Sequence, residues 1–234
     1  MRVLTVIGNR PQFVKAAAVS PLLRAEHEEV LVHTGQHYDD ELSGIFVREL
    51  GMPHPEHELA IGGGTNTEQT ARMLTALGPL VADVAPDAVL VYGDTNSTLA
   101  GGLAAAQVGV PVAHVEAGMR SFDRRMPEEL NRVLTDHLSS LLLCPTPVAV
   151  ANLEREAVAG EVVLVGDVMA DISAAVRPRA REDAQALVRA GVEPGAYLLA
   201  TAHRAGNVDD PLRLAALVDL LLAAAAPDVP VVLP

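Results

Sequence analysis

The chain has 234 residues, half of them hydrophobic, and one cysteine, so it can bury one large or two ordinary cores and cannot form an internal disulfide framework. Its 17 basic and 30 acidic residues give a net charge of -13, which argues against a nucleic-acid or anionic-membrane surface but leaves room for a local basic pocket and a small anionic ligand. The N-terminus MRVLTVIGNRPQ has no apolar run of signal-peptide length and no stretch approaches the roughly 18 apolar residues of a membrane span, so the expected compartment is the cytoplasm, with neither membrane nor nucleic acid as partner.

In chain order, the first apolar, β-branched run is VLTVIG (3–8), predicted as a strand that turns into a helix over 11–26. The turn, GNRPQFVK (8–15), carries Arg10 and Lys15 at a helix N-terminus, a combination suited to an anion. It is neither a Walker A loop nor G-x-G-x-x-G. Lys15 is the only lysine in the chain, which otherwise uses arginine for its cations. VLVHTG (30–35) reads as the second strand, followed by a helix over 39–50; the glycines of IGGGT (61–65) read as a turn. A helix over 66–85 leads to the strand AVLVYG (88–93), after which Asp94 and four further polar residues, Thr95 to Thr98, open a helix over 95–108. One such residue suffices for an N-cap, so a run of five points to a crevice.

The strand PVAHVE (111–116) ends on Glu116, and the next helix, 128–139, opens on Glu128 just after Pro127. Arg132 lies four residues on, on the same face, and an i,i+4 ion pair would account for Glu128 and Arg132. It would not account for Glu116. A carboxylate at the end of a strand covered on both sides needs a partner, for which Arg120 is available, or a chemical task. LLLCPT (141–146), a helix over 146–159 and VVLVGD (162–167) complete an alternation that predicts a parallel sheet covered by helices, one Rossmann-like domain over residues 1–168. A break follows near 166–195, where RPRARED is charged; AYLLATAH (196–203) then starts a new βα rhythm that reaches VPVVLP. Residues 169–234 are therefore expected to form the first part of a second, truncated Rossmann-like domain. Its TAHRAGN segment places His203, a group that titrates near neutral pH, at a strand end, where it is expected to face the crevice of Asp94, Glu116 and Glu128. His33, His37 and His114 have weaker claims, and no Cys/His spacing predicts a metal site.

At GNRPQFVK, VYGDTNSTLA, HVEAGMRS, MPEELNR and TAHR, in that order, the sequence resembles the non-hydrolysing UDP-N-acetylglucosamine 2-epimerase family. The resemblance implies an α/β protein of two Rossmann-like domains in a glycosyltransferase-B-type arrangement, a homodimer, and interconversion of UDP-GlcNAc and UDP-ManNAc without a redox cofactor. It implies Asp94, Glu116, Glu128 and His203 as the catalytic set, Arg10 and Lys15 as ligand-binding residues, and Arg132 as support for the carboxylates. The family's HR-x-EN is HRAGN here, so Gly206 stands where a glutamate is usual. RPQFVK and HTGQHYDDELSGIFVRELGMPHP resemble the branch acting on UDP-2,3-diacetamido-2,3-dideoxyglucuronate, which makes that uronate the alternative substrate. Gln36 and His37 match only partly the QH motif beside which some bacterial members bind an activating UDP-GlcNAc. A glycosyltransferase of the same architecture, a non-catalytic sugar-nucleotide binder and a hydrolysing epimerase stand as further alternatives.

Overall fold

The computed structural model of the chain describes residues 1–35, 50–182, 185–202, 205–226 and 228–233. The chain divides into two compact units, Met1–Ala175 and Val176–Pro234. The first is built on one parallel sheet of seven strands: β1 (Arg2–Ile7), β2 (Glu28–His33), β3 (His57–Glu58), β4 (Ala88–Tyr92), β5 (Val112–Val115), β6 (Leu141–Cys144) and β7 (Glu161–Leu164). Their order across the sheet is β3-β2-β1-β4-β5-β6-β7. The sheet thus grows outward in both directions from the β1/β4 pair, and in open α/β sheets such a reversal leaves a crevice at the carboxyl ends of those strands.

Helices α1 (Arg10–Glu26), α2 (Asn66–Val84), α3 (Asn96–Gln107), α4 (Pro127–Leu138), α5 (Pro147–Glu156) and α6 (Val168–Glu182) accompany it. Local chemistry sets their starts. The Asn9 side chain caps α1 by accepting from the Gln12 N–H, and Thr65 with Glu68 and Thr95 with Thr98 form reciprocal capping boxes on α2 and α3. Proline occupies an early position of α1, α4 and α5, where a missing N–H costs nothing. All six expected strands of this unit are present, with ends shifted by three residues at most. The two-residue β3 was not expected, being too short to show a period-2 pattern. The helix expected over 39–50 lies almost wholly outside the described residues, as do Gln36 and His37.

Alternation along the strands divides the core. Leu4, Val6, Val32, Val89, Val91 and Val112 face Met73, Leu77 and Val81 of α2 and Ala100, Ala104 and Ala105 of α3. The neighbouring positions Val3, Ile7, Leu31, Leu90, Tyr92 and Val115 face Phe13, Ala16 and Ala17 of α1, with Val168 and Ile172 of α6 at the margin. Each fully buried side chain of this size contributes about 1.5–3 kcal/mol, so the two faces together hold the strand ends in place. The charged RPRARE stretch forms the last part of α6.

The second unit holds a parallel pair, β8 (Leu198–Leu199) and β9 (Val231–Val232), with α7 (Gln185–Ala190), α8 (Ala205–Val208) and α9 (Pro211–Ala224), the last capped by Asp210. Among the described residues no helix is long and apolar enough to cross a membrane.

Candidate active site

At the carboxyl ends of β4 and β5, Lys15, Gly93, Asp94, Glu116, Met119 and Arg132 line a cleft of about 130 Å³. Two ion pairs run through it. Lys15, on the second turn of α1, pairs through Nζ with Glu116 Oε2. Arg132 of α4 pairs with Asp94 Oδ2 and, 3.3 Å away, with Glu129 Oε2. All four charged cleft side chains retain some contact with solvent, so the carboxylates are reachable while each is held by a cation.

The backbone is specialised where the acids emerge. Glu116 has φ 73°, a left-handed conformation rare and strained for a residue with a Cβ; such strain persists only where the surroundings fix it. Its N–H donates to the Leu143 carbonyl at 3.1 Å, so β5 stays paired with β6 up to the residue that turns the carboxylate into the cleft. Gly93, with φ +63°, lies opposite: a Cβ there would stand 3.2 Å from Lys15 Nζ and 3.3 Å from Glu116 Oε2. Only glycine supplies both the turn and the room.

A polar scaffold secures the surroundings. Buried Gln12 accepts from the Gly8 N–H at 2.7 Å and donates to the Tyr92 carbonyl and Thr98 hydroxyl at 2.7 and 2.9 Å, tying the β1–α1 turn to the end of β4. Of the polar run that opens α3, Thr95 is the cap, Ser97 and Thr98 are buried against Thr34 and the Tyr92 carbonyl, and Asn96 meets Asn66, Gln69 and Asn131. Only Asp94 of the five lines the cleft.

The expected i,i+4 pair between Glu128 and Arg132 is not what the structure shows. Glu128 is exposed at the second position of α4, and Arg132 turns to Asp94 and Glu129. The acid that enters the protein is Glu129, one residue on: it accepts from the Ser121 N–H and hydroxyl and the Phe122 N–H, all at 2.9 Å. Burial alone would raise its carboxyl pKa, but these bonds and Arg132 outweigh burial and hold it below the usual value. Arg120 is likewise not the partner of Glu116. Its buried guanidinium contacts Asp136 at 2.7 Å and Glu156 through two bonds of 2.8 and 2.7 Å. Arg10, the first residue of α1, is exposed, and His203 lies outside the described residues. Lys15, Asp94, Glu116 and Arg132 are thus the predicted residues brought together. Those that sequence reasoning passed over are Gln12, Glu129, Asp136 and, as more than a weak candidate, His114. For His114 the available signal was a polar side chain in a strand otherwise apolar; Gln12, Glu129 and Asp136 lie on helices, where nothing in the spacing marked them.

The family model for UDP-N-acetylglucosamine 2-epimerase matches residues 22–234. The chain belongs to this family. Among UDP-N-acetylglucosamine 2-epimerase relatives, it is 48% identical to the UDP-2,3-diacetamido-2,3-dideoxy-D-glucuronate 2-epimerase of Pseudomonas aeruginosa, over 100% of this chain and 66% of that protein. It is similar, with a TM-score of 0.89 and 38% identity over 100% of this chain and 66% of the other, to the crystal structure of Methanocaldococcus jannaschii UDP-GlcNAc 2-epimerase in complex with UDP-GlcNAc and UDP. The Neisseria meningitidis UDP-GlcNAc 2-epimerase bound to UDP-GlcNAc gives a TM-score of 0.85 at 30% identity, over 100% of this chain and 66% of that one. The chain spans less than two thirds of the length of these relatives.

Proposed function

We propose that the full-length protein is a non-hydrolysing UDP-sugar 2-epimerase that interconverts UDP-GlcNAc and UDP-ManNAc by elimination and re-addition of UDP. The observation that carries this reading is the pairing of two carboxylates, Glu116 and Asp94, from adjacent strand ends in one cleft, each held by its own cation. Carbon 2 of the sugar has no neighbouring carbonyl, so its proton cannot simply be abstracted and returned. In an elimination, a carboxylate takes the carbon 2 proton as the bond between carbon 1 and the diphosphate oxygen breaks; UDP leaves with the bonding pair and 2-acetamidoglucal remains. Proton delivery to the opposite face of carbon 2 and return of UDP to carbon 1 complete the inversion. No electrons are exchanged, so no redox cofactor is called for.

Such a route requires acid–base groups at the ring and cations on the departing diphosphate. Asp94, Glu116, Glu128 and His203 are assigned to proton transfer, and Arg10, Lys15 and Arg132 to the anion. An incoming diphosphate competes with Glu116 and Asp94 for Lys15 and Arg132, which would release the carboxylates as the leaving group is clamped. A cytoplasmic homodimer with no metal, nucleic-acid or membrane requirement belongs to the same proposal.

The diacetamido-uronate is the second substrate reading, supported by the 48% identity to the Pseudomonas enzyme. Incubating the full-length protein separately with UDP-GlcNAc and with UDP-2,3-diacetamido-2,3-dideoxyglucuronate, and resolving the products by NMR, tests both. Formation of the 2-epimer from one of them identifies the substrate. Release of free sugar with UDP would make the protein a hydrolase, and no turnover of either would refute the assignment.

A further inference from the structure

We infer that His114 is a buried imidazolium that fixes the two strand ends carrying Asp94 and Glu116, acting as a positioning residue for the proposed epimerisation. His114 lies in β5, wholly buried, with one ring nitrogen, Nδ1, 2.7 Å from Asp136 Oδ1 and the other, Nε2, 2.6 Å from the Gly93 carbonyl oxygen. The carbonyl can only accept, so Nε2 must carry a proton. Asp136 is ionised: its other oxygen accepts from the Gly118 N–H at 3.1 Å and lies 2.7 Å from the Arg120 guanidinium. Burial would favour a neutral carboxyl there, but the always-charged Arg120 guanidinium and the Gly118 N–H, both on that second oxygen, hold the negative charge independently of His114. An ionised carboxylate at hydrogen-bond distance requires a proton on Nδ1 as well. Both nitrogens are donors, and the ring is a cation.

The groups around this cation are accounted for. The end of β4 offers it the Gly93 carbonyl and α4 offers Asp136; behind Asp136 stand Arg120 and, paired with Arg120, Glu156 of α5. His137 lies 3.5 Å from Glu156, on the outer side of the chain of charges. The Cys144 thiol in β6 is also coupled to Asp136; burial first, then that carboxylate, pushes it up to about 11, so it stays neutral. The linked set of buried His114, Arg120 and Asp136 with the half-buried Glu156 therefore sums to zero charge.

Position gives the ring its task. The Gly93 carbonyl belongs to the peptide that leads into Asp94, and the Gly93 N–H donates to Val115, the residue before Glu116, at 3.0 Å. Through Asp136 the same ring reaches Gly118, two residues beyond Glu116, whose carbonyl is held in turn by Asn152 at 2.9 Å. The cation thus clamps the Gly93–Asp94 peptide on one side and the turn after Glu116 on the other, from behind the cleft wall and without lining the cleft itself.

The test pairs a spectroscopic readout with a kinetic one, on the full-length protein labelled with ¹³C,¹⁵N histidine, its His114 ring signals assigned by through-bond correlation to the His114 backbone. At pH 7.5 both ring nitrogens of His114 are expected to show directly bonded protons; a neutral tautomer with one bare nitrogen overturns the inference. His114→Gln can still donate to Gly93 but loses the second donor and the charge. It is expected to lower kcat by about tenfold to a hundredfold with KM changed far less, as for catalytic groups displaced by part of an ångström. An unchanged kcat in a folded His114→Gln protein overturns the positioning role, and if that variant does not fold, the measurement on the unaltered protein still decides the charge. Because the role rests on the proposed epimerase reading, an inactive unaltered protein would remove that reading while leaving the ring-nitrogen result to stand or fall by itself.

Discussion

Gly93→Ala, compared with Gly109→Ala, separates backbone strain from disturbance of the cleft. Both glycines have positive φ, +63° and +77°, so alanine at either pays a left-handed penalty of about 1–2 kcal/mol. Gly109 has nothing within 4 Å of a new Cβ, whereas at Gly93 the methyl would meet Lys15 Nζ at 3.2 Å and Glu116 Oε2 at 3.3 Å. Ordinary contact for such atoms starts near 3.5–4.0 Å, so the ion pair must retreat by about 0.4 Å. If a displacement of about 1 Å costs a hundredfold in rate, 0.4 Å costs roughly sixfold. The expected result is a similar loss of stability in urea melts for both variants, but a drop of about sixfold in kcat for Gly93→Ala alone. Equal kcat values for the two would refute the placement of Lys15 and Glu116 at the reacting centre.

Three further outcomes are expected. Glu128→Gln should leave stability within about 0.5 kcal/mol because its side chain is exposed, while lowering kcat if it transfers a proton; Glu129→Gln should lose about 1–3 kcal/mol of stability through its three hydrogen bonds, and the two variants assayed together show which acid does which task. Asp136→Asn should cost about 3–5 kcal/mol at pH 7, by leaving His114 and Arg120 without their shared anion. The folded carboxyl sits below its ordinary value of 3.8, so its stabilisation is complete above that value and fades as pH falls through the lowered one; the gap between wild type and variant should narrow only below about pH 4, and a gap constant to pH 2 would contradict the ion network. Gly101→Ala should destabilise by about 1–3 kcal/mol in urea melts, because the methyl would lie 3.2 Å from Val6 and Val91 on a fixed sheet face; a neutral change would mean that α3 can lift from the sheet.

Six of the seven strands of the first unit were legible because each is a short apolar run, β-branched in all but β6, closed by glycine or a polar residue, and the proline and cap positions marked the helix starts. The cleft was legible in Lys15, Asp94, Glu116 and Arg132, which stand beside those strand ends. What failed was the choice between neighbours. Glu128 was chosen from its place after Pro127 and its i,i+4 spacing to Arg132, but on α4 the buried residues are Glu129, Asn131, Thr135 and Asp136, while Leu130 and Leu134 are 47% and 51% exposed. The helix presents a polar face because the site it packs against is polar. The run Asp94 to Thr98 promised five cleft residues and gave one, since Thr95 caps α3, Thr98 bonds to the end of β4, Ser97 meets Thr34 and Asn96 meets polar side chains of α2 and α4. His114 was passed over because a lone histidine in a strand does not reveal that both its nitrogens face acceptors, which depends on α4 folding back across β5.

Exchange with solvent at carbon 2 is the most direct test of the central claim. The full-length protein is incubated in deuterated water with UDP-GlcNAc and, separately, with the diacetamido-uronate nucleotide, and deuterium is read at carbon 2 by NMR. The account predicts deuterium at that carbon in one of the two sugars, in both epimers, and a loss of exchange of at least about a hundredfold in Glu116→Gln. Epimer formed without deuterium, or exchange undiminished in Glu116→Gln, would contradict it.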